Sequence, residues 1–367
     1  MSGIIAIGGF LVLLGILVIA HELGHFWAAR FFRIKVEEFG IGFPPRAMTF
    51  AERDGVRYTL NWLPIGGFVR FASPEGDGTA HGIGILRDAP IYQRIIVLVA
   101  GPLMNVLVAM LLYAIIAANV GITVYQDGLR VSEVYPNTPA ATAGLQTDDI
   151  VLSVGDSGII TPESDIGPVA QRFLGQPIDM QIVRNGQAQT LTIVPGPWSI
   201  DGKTSPAGFG FSYAQNATTQ PANIFEAVQY GIQTTMRVTV LMIDGLLQWF
   251  GSLIGTTQPM EGAGVTGIVG MARGTGEIIE TQGWIGYLNW MAIISLNLAI
   301  FNLLPIPALD GSHIMFALLE AIRRKRIPLE YESRVHFAGF AFLMALMVVV
   351  TISDIQGWIN GSSIFGS

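Results

Sequence analysis

The sequence has no cysteine and few charged residues, and both shortages limit what the protein can be. Without cysteine there is no disulfide, no iron–sulfur cluster and no thiolate zinc site, so any metal must be held by histidine, aspartate or glutamate. Charged residues make up only 13% of the 367 residues and hydrophobic residues 51%, whereas ordinary soluble domains carry about 25% charged residues. This composition predicts a polytopic membrane protein.

Basic residues are outnumbered by acidic ones. The formal net charge is −7 and no basic run resembles a nucleic-acid footprint, which argues against nucleic acid as a partner. Histidine is also scarce, with five in the chain. Two of them are expected to be solvated in or beside polar loops: His81 and His336.

Four apolar stretches are about long enough to cross a hydrocarbon core of roughly 30 Å. They are Ile4–Ala29, Ile95–Val120, Tyr287–Leu304 and Val335–Ile355. The first is interpreted as a retained span and not a signal peptide, because no positive charge precedes it. The second is expected to be broken early, at Gly101-Pro102.

The charges of the loops predict which side of the membrane each one occupies. Nine Lys and Arg lie between Arg30 and Arg94, and five more lie in the short stretch from Ala321 to Arg334. The positive-inside rule places both loops in the cytosol. The segment Asp127–Lys203, with four basic and nine acidic residues, is then expected outside, as is the N-terminus.

The chain carries an H-E-x-x-H motif near the end of its first apolar stretch. His21 and His25 would share one face of a helix and form half of a zinc site, with Glu22 placed to act on water at the metal. His21 follows Ile4 by 17 residues, which places it about 25 Å along the helix, near the far edge of the core. The alternative is a helix end whose histidines lie in the membrane interface.

A third ligand is predicted where the third span ends. Pro305 and Pro307 cannot continue a regular helix, so the backbone should unwind and present Asp310. Two histidines and one carboxylate would leave an open zinc position for water. His313 competes as a ligand or supporting donor, although a polar residue at a helix start is the simpler interpretation.

The first loop contains short β-prone runs, Glu38–Pro45 and Tyr58–Phe71, that predict hairpins lying against the membrane. An edge strand beside the zinc could hold an unwound substrate by β-augmentation. An ordinary re-entrant or interfacial hairpin fits equally well. In the second span, Asn105 is expected to bond to a neighbouring helix, with a catalytic or substrate-binding role as the second possibility.

The middle of the chain predicts a small soluble domain over Gly128–Pro195. Alternating strands, a short helix at Pro139 and a hairpin turn at Asn185-Gly186 occur in the order of a PDZ domain. A Gly/Pro/Thr-rich linker is expected over Pro195–Pro221.

Two further segments precede the third span. Ile224–Ile254 is interrupted by polar residues, which favours an interfacial or partly embedded amphipathic helix pair over a full span. The glycine-rich Gly262–Gly276 is interpreted as a connector docked near the site. The predicted divisions are therefore 1–120, 121–200, 201–286 and 287–367.

Taken together, the motifs resemble the site-2 protease family of intramembrane zinc metalloproteases, in its bacterial regulator-of-sigma-E protease branch. The motifs are the H-E-L-G-H, Pro64-Ile-Gly-Gly-Phe, Gly101-Pro102 with Asn105, and Asn302-x-x-Pro-x-Pro-x-Leu-Asp-Gly. The best-known member of that branch has two tandem PDZ domains, whereas this chain has room for one. Asp148-Asp149 stands where bacterial relatives usually have Gly-Asp.

The resemblance implies a fold and a set of site residues. The fold is a polytopic α-helical membrane protein of about four spans, with membrane-associated β-hairpins and one inserted PDZ-like α+β domain. Zinc would be bound by His21, His25 and Asp310, with Glu22 as general base and acid. Gly66 and Gly67 would meet the substrate strand, and Asn302 would contact the substrate or the oxyanion. Asn105 is a further candidate substrate contact.

The resemblance also implies partners and a location. The substrates would be single-span membrane proteins, such as an anti-sigma factor already trimmed outside or signal-peptide remnants, and the PDZ domain could bind a peptide or act as a size filter. The protein would be multi-pass in the bacterial cytoplasmic membrane. The alternatives are an inactive membrane PDZ adaptor with a structural zinc, and a metal transporter.

Overall fold

The structure is a computed structural model that describes residues 2–72, 84–155, 158, 160, 166–200, 203–256 and 267–359. His81 and the first part of the expected connector, 262–266, lie outside these residues. The chain forms two compact units. We call Met1–Asn119 with Asn223–Ser367 the membrane unit, and Val120–Ala222 the inserted unit.

Nine helices and nine strands make up the described residues. The helices are α1 Ser2–Phe31, α2 Gly84–Asp88, α3 Ile91–Val120, α4 Pro139–Thr142, α5 Gly167–Arg172, α6 Ile224–Leu253, α7 Ile268–Leu303, α8 Asp310–Arg323 and α9 Leu329–Ile359. The strands are β1 Val36–Arg53, β2 Val56–Phe71, β3 Ile122–Val134, β4 Ile150–Val154, β5 Ile178–Arg184, β6 Gln187–Ile193, β7 Gly196–Ile200, β8 Lys203–Gly208 and β9 Phe211–Gln220.

Four helices of the described part are long and apolar enough to cross a membrane: α1, α3, α7 and α9. This confirms the number of spans predicted from the sequence. The expected break in the second span is wrong, because α3 continues through Pro102. Membrane helices tolerate a proline in their interior, and α1 packs closely beside this one: a Cβ on Gly24 would lie 2.2 Å from Ala100 O.

The third span begins much earlier than Tyr287. Helix α7 is already helical from Ile268, with one non-helical residue at Gly283 (φ 65°), so the expectation of a connector up to Gly276 is wrong for the described residues. The glycine-rich start is helical because another helix caps it. The Asp354 carboxylate of α9 accepts hydrogen bonds from the N–H groups of Gly267 (3.4 Å) and Gly270 (2.8 Å).

Helix α6 is one continuous helix of 30 residues and not the expected pair. Its start is fixed by a capping box, in which Asn223 and Glu226 satisfy each other's backbone N–H groups. It packs closely on α3, where a Cβ on Gly231 would lie 2.5 Å from Met110 O.

Strands β1 and β2 form the predicted hairpins as one bent sheet, in which 36–41 is antiparallel to 67–71, 46–53 is antiparallel to 56–61, and 38–41 runs parallel to 57–60. Phe39 pairs with both Val69 and Tyr58, so the 36–43 segment lies between 56–63 and 67–71. Segment 67–71 pairs on one side only in the register of the described residues, which makes it an edge strand.

Buried Glu38 holds this sheet together. Its carboxylate accepts hydrogen bonds from Thr59 Oγ1 (2.9 Å) and Arg46 (3.1 Å), and it forms an ion pair with Arg70 (3.0 Å). Because Arg70 belongs to the edge segment, this ion pair fixes the edge strand to the rest of the sheet.

The inserted unit is built on a five-stranded antiparallel sheet of order β6-β5-β4-β3-β9. The predicted turn is present: Asn185 (φ 52°) and Gly186 (φ 78°) both have the left-handed backbone that a tight hairpin favours. Asp148 is also left-handed (φ 70°), as expected of a position where relatives have glycine. The predicted fold class, with its inserted α+β domain, is confirmed.

The expectation of a linker over Pro195–Pro221 is wrong. Strands β7, β8 and β9 lie in this segment, and β9 pairs with β3 from Ile122 opposite Gln220 to Val134 opposite Phe211. The compact unit therefore continues to Ala222, beyond the predicted boundary at residue 200. The Gly and Pro residues of this segment predicted a linker, although its Phe, Tyr and Thr residues favour a strand, which is β9.

Candidate metal centre

Helix α1 brings two imidazoles together on one face. His21 and His25 are one helical turn apart and both are buried, with 9% and 7% of each residue exposed. Their Nε2 atoms are 3.1 Å apart and their rings are nearly perpendicular. His21 and His25 therefore share one face of α1, as the spacing of the motif predicts.

Asp310 is brought to the same place from the other end of the chain. Helix α7 ends at Leu303, and Asp310 begins α8 after the proline-containing turn. The turn is tight, since a Cβ on Gly311 would lie 2.2 Å from Leu304 O and 2.4 Å from Leu303 O. The Oδ2 atom of Asp310 lies 3.1 Å from His21 Nε2 and 3.3 Å from His25 Nε2.

These three atoms fit a tetrahedral metal ion. Zinc bonds of about 2.0–2.1 Å in a tetrahedron place neighbouring ligand atoms about 3.3 Å apart, which is the spacing in this triangle. Burial raises the pKa of Asp310, but the charges and hydrogen bonds of the two imidazoles outweigh burial and hold the pKa below its usual value. An ionised carboxylate is a common zinc ligand.

The surroundings select the tautomer of His25 and leave room for its ring. The ring donates from Nδ1 to Val97 O at 2.8 Å, which leaves the lone pair of Nε2 toward the metal position. A Cβ on Gly101 would lie 2.3 Å from His25 Nε2 and 2.9 Å from His21 Cε1. Only glycine fits at this point of α3.

Glu22 lies beside the triangle without being part of it. It lines a cavity of about 400 Å³ together with the three candidate ligands. The edge strand lies against it: a Cβ on Gly67 would be 3.1 Å from Glu22 Cγ, and Glu22 has a backbone hydrogen bond with Val69. A carboxylate next to a three-ligand site in an open cavity is placed for proton transfer.

The same cavity is lined by the remaining residues predicted for substrate contact: Gly66, Gly67, Asn105 and Asn302. Asn105 is fully buried, yet neither its Oδ1 nor its Nδ2 has a hydrogen-bond partner among the described residues. The expectation that its side chain bonds to a neighbouring helix is therefore wrong. The bond to α7 is made instead by its backbone oxygen, which accepts from Ser295 Oγ at 2.7 Å.

A second cluster on α8 and α9 was not predicted. His313 Nδ1 lies 3.2 Å from Glu332 Oε1, and the rings of His313 and His336 stack 4.0 Å apart. The expectation that His336 is solvated is wrong, because its side chain is only 11% exposed. The i,i+4 spacing of Glu332 and His336 was the available sequence signal.

This cluster resembles a metal site in composition, with three ligand-type side chains close together. Its hydrogen bonds argue against one. The backbone N–H of Ala308 donates to His336 Nδ1 at 3.0 Å, so the neutral ring carries its proton on Nε2 and offers no free lone pair. His313 reaches the 400 Å³ cavity but is outside the ligand triangle.

The model of peptidase family M50 matches residues 9–346 of this chain. The chain belongs to peptidase family M50. This confirms the resemblance to site-2 proteases and the prediction of a metalloprotease. The match runs from the first span into the fourth and therefore includes all three candidate ligands.

Curated relatives match over nearly the whole chain. The zinc metalloprotease RasP of Oceanobacillus iheyensis is 29% identical, covering 95% of this chain and 98% of its own length. RasP of Geobacillus kaustophilus is 31% identical, covering 95% and 97%, and the probable protease eep of Enterococcus faecalis is 30% identical, covering 95% and 98%.

Among solved structures, the PDZ domain of an SdrC-like protein from Listeria monocytogenes matches 25% of this chain and 93% of its own length. The identity is 17% and the TM-score is 0.21.

Proposed function

We propose that this M50 peptidase is an intramembrane zinc endopeptidase that cuts a transmembrane segment of single-span membrane proteins. The observation that carries the proposal is the buried triangle of His21, His25 and Asp310 next to Glu22 in one cavity. A structural zinc site is closed by four protein ligands, whereas three ligands and a cavity are typical of a catalytic one. This argues against an inactive adaptor.

The two imidazole Nε2 atoms and the Asp310 carboxylate would hold the zinc, in agreement with the names of the relatives. When bound, zinc supplies Lewis-acid activation of water and of the peptide carbonyl. Glu22 takes the proton from the attacking water and delivers it to the leaving amide nitrogen. His25 is kept in its ligating tautomer by its bond to Val97 O.

The edge strand would hold the substrate in extended form. Helical carbonyls are already hydrogen-bonded, so a transmembrane helix must unwind before it can be cut. In the part of the chain that the structure describes, segment 67–71 has an unpaired edge next to Glu22, and a substrate strand added there would lie along the cavity. The buried amide of Asn105 lacks partners among the described residues, and a substrate backbone would satisfy it.

The charge pattern supports an orientation for this site. The loops rich in Lys and Arg would face the cytosol, with the inserted unit and the N-terminus on the other side of the bacterial cytoplasmic membrane. The substrates would be anti-sigma-factor-like proteins or signal-peptide remnants, and the inserted unit would bind a peptide end or limit substrate size.

Replacing Glu22 with Gln tests the proposal. Cleavage of a single-span test substrate in detergent should fall by about 10²–10⁴-fold, the usual contribution of a general base, because Gln keeps the shape but cannot accept the proton. Zinc content and thermal stability should stay at wild-type levels.

Two controls accompany this test. Glu37→Gln, which removes a carboxylate elsewhere in the chain, should cleave normally. Removing zinc with a chelator should stop cleavage and adding zinc back should restore it. Undiminished cleavage by the Glu22 variant would refute the assigned mechanism.

A further inference from the structure

The turn that carries Asp310 contains a residue in an unfavourable conformation. Ala308 has a φ of 76°, a left-handed backbone that residues other than glycine rarely adopt. It lies two residues before Asp310, so its backbone angles set the direction in which α8 starts. Such a conformation persists only where surrounding contacts hold it.

Helix α9 supplies two of these contacts. The Ala308 N–H donates to His336 Nδ1 at 3.0 Å. Next to it, a Cβ on Gly339 would lie only 2.1 Å from Pro307 Cβ, so the backbone of α9 packs directly against the turn. Both contacts fall on the residues that precede the ligand.

His336 is itself held in place. Its ring stacks on His313 at 4.0 Å with 19° between the planes. Glu332 is 95% buried, and its Oε1 lies 3.2 Å from His313 Nδ1 and 4.0 Å from His336 Nε2. The buried carboxylate therefore holds the His313 ring through a hydrogen bond, and the stacked His313 ring in turn holds His336, whose Nδ1 lone pair is directed to Ala308.

We propose that Glu332, His336 and Gly339 of α9 form a brace that positions Asp310 as the third metal ligand. The brace acts through the 307–308 backbone and does not touch the metal position, so these are positioning residues. The proposal rests on the metal site of the proposed function. It assigns to the fourth span a role in metal retention.

Zinc affinity of the full-length protein in detergent, measured by competition with a chromogenic chelator, tests the brace without using activity. His336→Phe keeps a ring for stacking but has no acceptor for the Ala308 N–H. We expect its zinc affinity to fall by about 10–100-fold, as for other residues that orient metal ligands. His336→Asn places Oδ1 near the position of Nδ1 and should recover most of the affinity.

Two further variants test the route through the turn. Ala308→Gly adopts the positive φ without strain, so adding it to His336→Phe should recover at least part of the lost affinity. Gly339→Ala should weaken zinc binding by pushing on Pro307, whereas Phe337→Leu, at a 74% exposed position of the same helix, should not.

The outcomes separate the two proposals. A wild-type protein that binds no stoichiometric zinc would contradict the metal site itself. If the wild type binds zinc and His336→Phe binds it equally well, the brace is wrong. The brace is also wrong if the Asn variant loses as much affinity as the Phe variant, or if Gly339→Ala, folded by circular dichroism, keeps wild-type affinity.

Discussion

At the scale of single residues, the candidate metal centre depends on a glycine as much as on its three candidate ligands. Gly101 of α3 faces the two imidazoles of α1, and a side chain there would overlap His25 Nε2 at 2.3 Å. The neighbouring atoms belong to the imidazole rings of the two candidate ligands, which cannot move without leaving the triangle. Helix propensity works in the opposite direction, because Ala is about 1 kcal/mol better than Gly in a helix.

Gly101→Ala is therefore expected to weaken zinc binding by on the order of 100-fold while leaving the helices folded. Zinc per chain, measured by mass spectrometry after dialysis, and far-ultraviolet circular dichroism check this. Gly15→Ala in α1 is the matched control, since no atom lies within 4 Å of its added Cβ. A Gly101 variant with full zinc would show that the imidazoles are less constrained than the distances indicate.

The residues that form the candidate site could be predicted from the sequence to different degrees. His21, Glu22 and His25 follow from a local spacing that fixes one helix face, and Asp310 follows from the prolines before it. The contact of α9 with the turn, on which its proposed role rests, was not predictable, because His336 and Ala308 are 28 residues apart and nothing in the local sequence joins them. Similarly, no sequence pattern shows that the Asn105 amide lacks a hydrogen-bond partner within the described segments.

At the scale of elements, buried Glu38 determines where the edge strand lies. It pairs with Arg70 of the edge segment and with Arg46 of the neighbouring bend. Glu38→Gln should destabilise the sheet by about 1–3 kcal/mol. This is less than a fully buried pair would cost, because the arginine side chains are 40% and 41% exposed.

The same substitution, Glu38→Gln, should also reduce the rate of cleavage. A looser edge strand would hold substrate less well, so cleavage should fall while zinc content is unchanged. Hydrogen exchange of residues 67–71 and the rate of cleavage measure the two parts, with Glu37→Gln as the control in the same strand. If cleavage stays normal although residues 67–71 exchange faster, the edge strand does not contribute to substrate binding.

Errors in the predicted elements have a common physical origin, namely partners that are distant in sequence. Strand β9 lies in a Gly/Pro-rich stretch and is fixed by pairing with β3, about 90 residues earlier. The start of α7 is fixed by Asp354, 84 residues beyond Gly270. Long apolar spans needed no such partner, so their existence was predicted correctly.

At the scale of the whole molecule, the inserted unit can be considered separately from the membrane unit. Its two ends are adjacent, because Ile122 and Gln220 are register partners in β3 and β9, which places their Cα atoms about 5 Å apart. Its core is formed by residues of the unit itself, including Leu129, Met180 and Ile193. Entering and leaving at one point is typical of insertions that leave the host fold intact.

Replacing residues 122–220 with a short Gly/Ser link should therefore leave a membrane unit that still binds one zinc per chain. The isolated 120–222 segment should unfold in one cooperative transition. Zinc analysis of the shortened chain and thermal denaturation of the segment measure both. Because the proposed site uses no residue of the inserted unit, cleavage of a short single-span substrate should persist, and only the choice among larger substrates should change. Loss of zinc from a shortened chain that is still helical would show that the metal centre depends on the inserted unit.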